Sequence, residues 1–361
     1  MEDEQLRDWG LYTPEIRWRD HQHWLEERGY ILRPRLRHGW VPSWKGTKQS
    51  WLFCEDGASI IGPWVDATRI SDGAIVVLKR ISKNSFPHEV EISRMFSVEP
   101  LASDPRNHCV PVYEVMQSPL DDDIVFIVIP FLRPFEKPPF RTVGEALECM
   151  RQLIQGLHLM HEHRLAHRQD NNVMMSPVPF LSEMPHPCFP KKSYDFRRRI
   201  KYTTRTAARP KYYFIDFGIS YIYPKDCVAP RAPPLRLGIL TVPEFQGSGQ
   251  DKLHDPFPVD IYCLGELFRS IFTEEYYGLK MLEPLIADMI QTDPVKRPTA
   301  AHVSLRFNEI ITSVRSWQLR SRLVRKEEFG VVGLFKAISH AFRTARYIVS
   351  RTPALPTPPS R

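Results

Sequence analysis

Residues 165–175 read LAHRQDNNVMM, a short run that holds a histidine, an arginine, a carboxylate and two amides and leads into an apolar segment. Further along, YYFIDFGIS places Asp216-Phe217-Gly218 after an aromatic, β-branched run. Earlier, VVLK ends on Lys79, and EIS places Glu91 on the helix that follows, with Glu89 close by on the same helix. These residue types do ionic chemistry: carboxylates and amide oxygens hold hard cations or accept protons, and a lysine holds an anion. Zinc and disulfide chemistry are not indicated. Cys54, Cys109, Cys149, Cys188, Cys227 and Cys263 are scattered without a C-x-x-C pair and read as buried or incidental thiols.

Three more pieces follow in order: TVPE with Glu244, DIYCLG with Asp260 and DPVKRP with Arg297. Together, over roughly residues 54–310, the pieces resemble the protein kinase superfamily. The wider set, with FLRPF, TVGE, MHEH, NNVMM and the WRDHQHWL lead, resembles a divergent kinase-like family of fungi. The resemblance implies an α+β, two-lobed protein kinase-like fold, with a small β-rich N-lobe bearing one helix and a larger helical C-lobe. It implies ATP and Mg as cofactors and transfer of the γ-phosphoryl group to a Ser/Thr hydroxyl of a protein substrate. Such a reaction needs positioning and charge neutralisation more than covalent help.

The same resemblance distributes the roles. Lys79 would hold the α and β phosphates, aligned by Glu91, which is preferred to Glu89 because EISRMF matches the family's helix pattern. Asp216 and Asn172 would hold Mg²⁺, and Asp170 would accept the proton of the hydroxyl. Gly57 and Gly62 match the outer glycines of the loop that covers the phosphates. Ile129 takes the gatekeeper position, and Leu132 lies near the backbone groups that would meet the base. His167 and Phe217 are packing residues, Glu244 and Arg297 a structural salt bridge, and Asp260 an anchor for the loop at 165–175.

The pattern also breaks. His167 and Asn172 are five positions apart, where the family's H-R-D-x-x-x-x-N has seven. Gln169 falls where the acid belongs, and Asp170 comes one place late. A misplacement of about 1 Å can cost roughly a hundredfold in rate. Ser59 replaces the middle glycine of the phosphate loop, Val77 replaces a small residue before Lys79, and either Trp64 or Val65 takes the position that covers adenine. These departures support an alternative from a different class: a pseudokinase that keeps the fold as a nucleotide-binding or scaffolding module.

Periodicity places the supporting elements. AIVVLKRI (74–81), PVYEVM (111–116) and DIVFIVIPFL (123–132) read as strands, with a short helix, PHEVEISRMF, between the first two. Thr142 and Glu145 form a capping box at the head of a long amphipathic helix, and VDIYCLGELFRSIF (259–272) is apolar nearly all round. Domain boundaries follow: 1–50, a Trp- and Arg-rich extension expected to dock; 51–133, N-lobe and hinge; 134–314, C-lobe with a basic insertion at 176–211; 315–361, a basic tail.

The net charge of +7 is local. Ten Lys or Arg against two Glu follow from Arg315 onward, so the tail accounts for it. Within the tail, residues 331–349 form a basic amphipathic helix expected to pack on its own domain, with an anionic membrane surface or an acidic partner's groove as alternatives. Specific nucleic-acid binding is not expected, because no aromatic-basic motif accompanies the charge. No apolar run is long enough to span a bilayer and the first residues are acidic, which points to cytoplasm or nucleus.

Overall fold

The computed structural model describes residues 10–57, 62–168, 172–234, 241–249 and 251–359. It is an α+β protein built from antiparallel strands and helices. The chain forms two compact units: one takes in the residues up to Ser97, Pro111–Phe131 and Leu181–Tyr202, the other Val98–Val110, Leu132–Phe180 and Thr203 onward. Among the described residues, no helix is long and apolar enough to cross a membrane.

The first unit is organised on a five-stranded antiparallel sheet in the order β1-β2-β3-β5-β4. Its strands are β1 (Tyr30–Leu32), β2 (Trp64–Arg69), β3 (Ile75–Ser82), β4 (Glu114–Gln117) and β5 (Ile124–Pro130). The run IVFIVIP makes β5 a strand with Ile124 to Val128 all buried. Helices α1 (Thr13–Asp20) and α2 (Gln22–Glu27) lie against it: the rings of Trp18 and Trp24 stand 5.4 and 5.7 Å from Phe126. The two helices are divided at His21, whose ring stacks edge-on to Phe126 and meets the Ser118 hydroxyl at 2.9 Å. Gly29, with φ of +88°, turns the chain from α2 into β1. Each large side chain buried here contributes about 1.5–3 kcal/mol.

Residues 181–202, within the basic insertion expected in the C-lobe, belong to this first unit. They form a small bridged ladder, Leu181↔Tyr202, Pro185↔Ser193 and Lys192↔Arg199. A buried polar network fixes it to the sheet. Tyr194 donates to Asp66 Oδ2 at 2.7 Å, Arg33 Nε to Asp66 Oδ1 at 3.1 Å, and Arg33 Nη1 lies 3.3 Å from His186 Nε2. Long-range pairs of this kind leave no periodic trace, which is why the attachment was not legible.

The second unit is helical. Helix α4 (Val143–Glu162) starts at Thr142, whose hydroxyl accepts the Glu145 N–H at 3.1 Å. Glu145 reaches back to the N–H of Arg141 at 2.8 Å, and its other oxygen takes both the N–H and the hydroxyl of Thr206. The cap residue is thus also a buried tertiary tie. Helix α5 (Pro256–Phe268) is capped by Asp255 and buried on most sides. Helices α6 (Glu283–Met289) and α7 (Ala300–Ser313) follow, and α7 packs on α4. Short strands β6 (Arg133–Pro134), β8 (Val173–Met175) and β9 (Tyr212–Phe214) form one ladder, and β7 (Leu165–Ala166) pairs with β10 (Tyr221–Ile222). The chain ends in α8 (Gly330–Val349) and a segment that follows it.

Candidate functional site

In the first unit the cluster is built on β3. Lys79 and Val77 alternate with the buried Val76 and Leu78, so they share the sheet face opposite the core under Phe126. Directly paired residues share that face: Trp64 and Ile127 flank Lys79, and Asp66 and Ile129 flank Val77. The Lys79 ammonium makes an ion pair with Glu89 in the first turn of α3 (Glu89–Met95). Glu89 is 2% exposed, whereas Glu91 is exposed, next to Lys83 and Arg94. The partner of Lys79 is therefore Glu89, and the preference for Glu91 is corrected. The reason is helix phase: Glu89, Ile92, Ser93 and Phe96 are the buried positions and follow the i, i+3, i+4, i+7 face of a helix, while Glu91 points away. That stripe was present in the sequence as the signal for Glu89.

On the same face, next to Val77, Asp66 is fully buried beneath Arg33 and Tyr194. Burial and the Asp66 carboxylate push the Tyr194 phenol well above its usual range. Burial works against the Arg33 charge, but Asp66, Cys188 and Glu55 outweigh it and raise the pKa. The face that carries Lys79 is thus partly roofed by residues 181–202.

The glycines read as a phosphate loop sit differently from one another. Gly57 closes a short turn, Glu55–Gly57, and a Cβ there would lie 2.0 Å from the carbonyl oxygen of Trp51. At Gly57 the missing side chain admits the chain's own backbone, which accounts for a glycine there. Gly62 stands just ahead of β2, close to the Trp64 indole. Ser59 lies outside the described residues. Ile129 is half-buried near the end of β5, and Leu132 is buried in the second unit, just past the division between the units.

The second unit carries another cluster, organised by the β8–β9 ladder. Val173 pairs with Phe214, and the Ile215 N–H donates to the Asn172 carbonyl at 2.9 Å, so Asn172 and Asp216 flank the same end of the ladder. Asp216 has φ of +62° and its Oδ1 accepts the Gly218 N–H at 3.2 Å. Arg168 has φ of +60°. Such left-handed positions cost of order 1–3 kcal/mol in a residue with a side chain and persist where the surroundings hold them. Here Asp260, on α5, holds the approach: it accepts the N–H of His167 at 2.9 Å and of Arg168 at 2.7 Å, with His161 Nε2 at 3.0 Å. The His167 ring packs between Phe214 and Phe217 and lies 3.2 Å from the Ile215 carbonyl, the packing role expected for it. Arg168 donates to the carbonyls of Ile219 and Pro233, and burial lowers its pKa. Asp170 and Gln169 lie outside the described residues.

The expected pair between Glu244 and Arg297 is present as a bidentate bridge at 2.6 and 2.7 Å. Asp216 and Asn172 offer one carboxylate and one amide oxygen, hard donors of the kind Mg²⁺ takes alongside water and phosphate oxygens. Among the described residues no group of three His, Cys, Asp or Glu is placed to hold a metal. Compared with known proteins, the chain matches no family model, and no curated protein is significantly similar to it.

Proposed function

We propose that the chain is a protein kinase-like phosphotransferase that binds ATP with Mg²⁺ and transfers the γ-phosphoryl group to a Ser/Thr hydroxyl of a protein. The observation that carries this reading is the Lys79–Glu89 ion pair, a strand lysine fixed by a buried acid on the following helix. It is the arrangement that holds a cation ready for phosphate oxygens. The α+β order of a strand-rich unit with one helix after β3, followed by a helical unit, supports the same reading.

In this account Lys79 orients the α and β phosphates, and Glu89 keeps the ammonium from turning to solvent. Asp216 and Asn172 would hold the metal, which would supply neutralisation of the phosphate charge. Asp260 positions the backbone that leads into Asp170, and Asp170 takes the proton from the attacking hydroxyl as the new P–O bond forms and ADP leaves. Positioned acid–base groups contribute roughly 10²–10⁴ in rate.

A second reading, a pseudokinase that serves as a binding module, is favoured by a specific observation. Asp66, beside Val77 on the Lys79 face, is sealed under Arg33 and Tyr194, where a base-binding surface needs to be open. The two-residue shortening between His167 and Asn172 points the same way. Phosphotransfer from labelled ATP to a generic protein substrate separates the two. The proposal expects turnover that survives Gln169→Ala and falls at least roughly a hundredfold in Asp170→Ala and in Asp216→Ala. Nucleotide binding without turnover would instead establish the second reading.

A further inference from the structure

Helix α8 is docked the wrong way round for a helix of a globular protein. Its apolar side chains, Leu334, Phe335, Ile338, Phe342, Ile348 and Val349, lie on one side at helical spacing. That side faces out: Leu334 is 62% exposed, Phe335 69% and Phe342 75%. The least exposed residues are on the opposite side, Gly333, His340, Arg343, Thr344 and Tyr347. Polar contacts seat that side on the second unit. The Tyr347 hydroxyl meets Thr204 Oγ1 at 2.5 Å, and Lys336 donates to Glu328 at 2.9 Å. The chain beyond the helix is also tied down, with the Thr352 carbonyl accepting from Arg320 at 2.6 Å and Thr357 donating to Glu148 at 3.2 Å. The expectation that the apolar stripe packs on its own domain is corrected.

A contiguous apolar ridge of this size marks a surface that meets something else. Its surroundings say what. Arg346 borders the stripe, Lys326 and Arg351 are exposed near its two ends, and the sequence from Arg315 onward carries ten Lys or Arg against two Glu. A second copy would bring the same positive charge against it, which disfavours self-association. A groove-type partner has to surround a helix, whereas α8 already turns its less exposed polar side, with Tyr347 on Thr204, toward the second unit and offers one face as a ridge. We infer that α8 lies on an anionic lipid bilayer surface, apolar side down, and holds the second unit there by hydrophobic insertion and by attraction of its cations to acidic headgroups. This inference is independent of the nucleotide reading.

Flotation of the full-length protein with vesicles of phosphatidylcholine alone, and of phosphatidylcholine mixed with phosphatidylserine, tests it. The expected result is roughly tenfold or greater recovery with the mixed vesicles, weakened by added salt. The double variant Phe335→Asp/Phe342→Asp should lose that recovery while keeping the wild-type Tm, because both rings are exposed and support no core. A second variant, Arg346→Glu, should lower recovery on the mixed vesicles alone. Equal recovery of the wild type and the double variant would overturn the inference, as would no recovery with either vesicle. A concentration-dependent dimer that the double variant abolishes, without lipid binding, would overturn it in favour of a second copy.

Discussion

Lys79 and Asp216 are both singled out by the sequence, and the molecule holds them by different means. Lys79 stands on a regular strand between two others, and its ammonium is fixed by an acid that enters from the first turn of α3. Asp216 stands just past a three-residue strand in a left-handed conformation, between Ile215 and Phe217, which the His167 ring contacts, and Asp260 in turn holds the N–H groups of His167 and Arg168. The first cluster depends on side-chain pairing over a rigid sheet. The second depends on backbone hydrogen bonds to a residue more than ninety positions from those it anchors. Where a site is carried by regular elements, one pairing decides it; where it is carried by loops, remote anchors do.

The largest effect that would sharpen this contrast comes from acid. His108 is buried in the second unit, with Nδ1 3.0 Å from the Tyr212 carbonyl of β9, the strand that leads to Asp216. Burial, aided by the charges of Lys211 and Arg151, pushes its pKa down to about 3 from 6.5. The folded state therefore prefers the neutral ring. The stability this contributes is complete above pH 6.5 and is lost as pH falls toward 3, up to about 5 kcal/mol. Hydrogen exchange between pH 7 and 4 should show β9 losing protection before β3 does, and His108→Gln should flatten the acid limb of the unfolding curve. Equal loss in both strands would break the comparison.

Next in size, Asp260→Ala leaves two backbone N–H groups without their acceptor and should cost about 2–4 kcal/mol in denaturant unfolding. Its effect should fall on the second cluster, with the exchange protection of β3 unchanged. The smallest effect discriminates within the first cluster. Glu89→Gln should weaken ATP binding roughly tenfold by loosening Lys79, and Glu91→Gln should leave it as it was; calorimetric titration of the two variants reads this directly. The reverse order would mean that α3 presents its other face to β3.

Much of this was legible. The continuous apolar run of β5, the Thr142 cap of α4 and the stripe of α8 all stand in the sequence as patterns with a period. What was not legible depended on partners far along the chain. Tyr30–Leu32 becomes a strand because it pairs with Ala67–Arg69, and residues 181–202 join the first unit because Tyr194 and His186 find Asp66 and Arg33. The two long helices make the same point. Both α4 and α8 run twenty residues and both are amphipathic, yet α4 buries its stripe and α8 turns it outward. A period shows that a helix has two faces, and only the surrounding charges and anchors decide which one is covered. Glu89 belongs to a third kind: Ile92 and Phe96 stand in the sequence at helical spacing from it, whereas EISRMF, the run that resembles the family's helix, begins at Glu91.

The measurement that bears most directly on the central claim is calorimetric titration of the purified protein with ATP, with and without Mg²⁺, beside an Asp216→Ala variant. The account predicts binding that strengthens with Mg²⁺ and loses that dependence in the variant. No heat of binding at millimolar ATP, with the protein folded, would contradict it and leave Lys79–Glu89 as an ion pair of the fold alone.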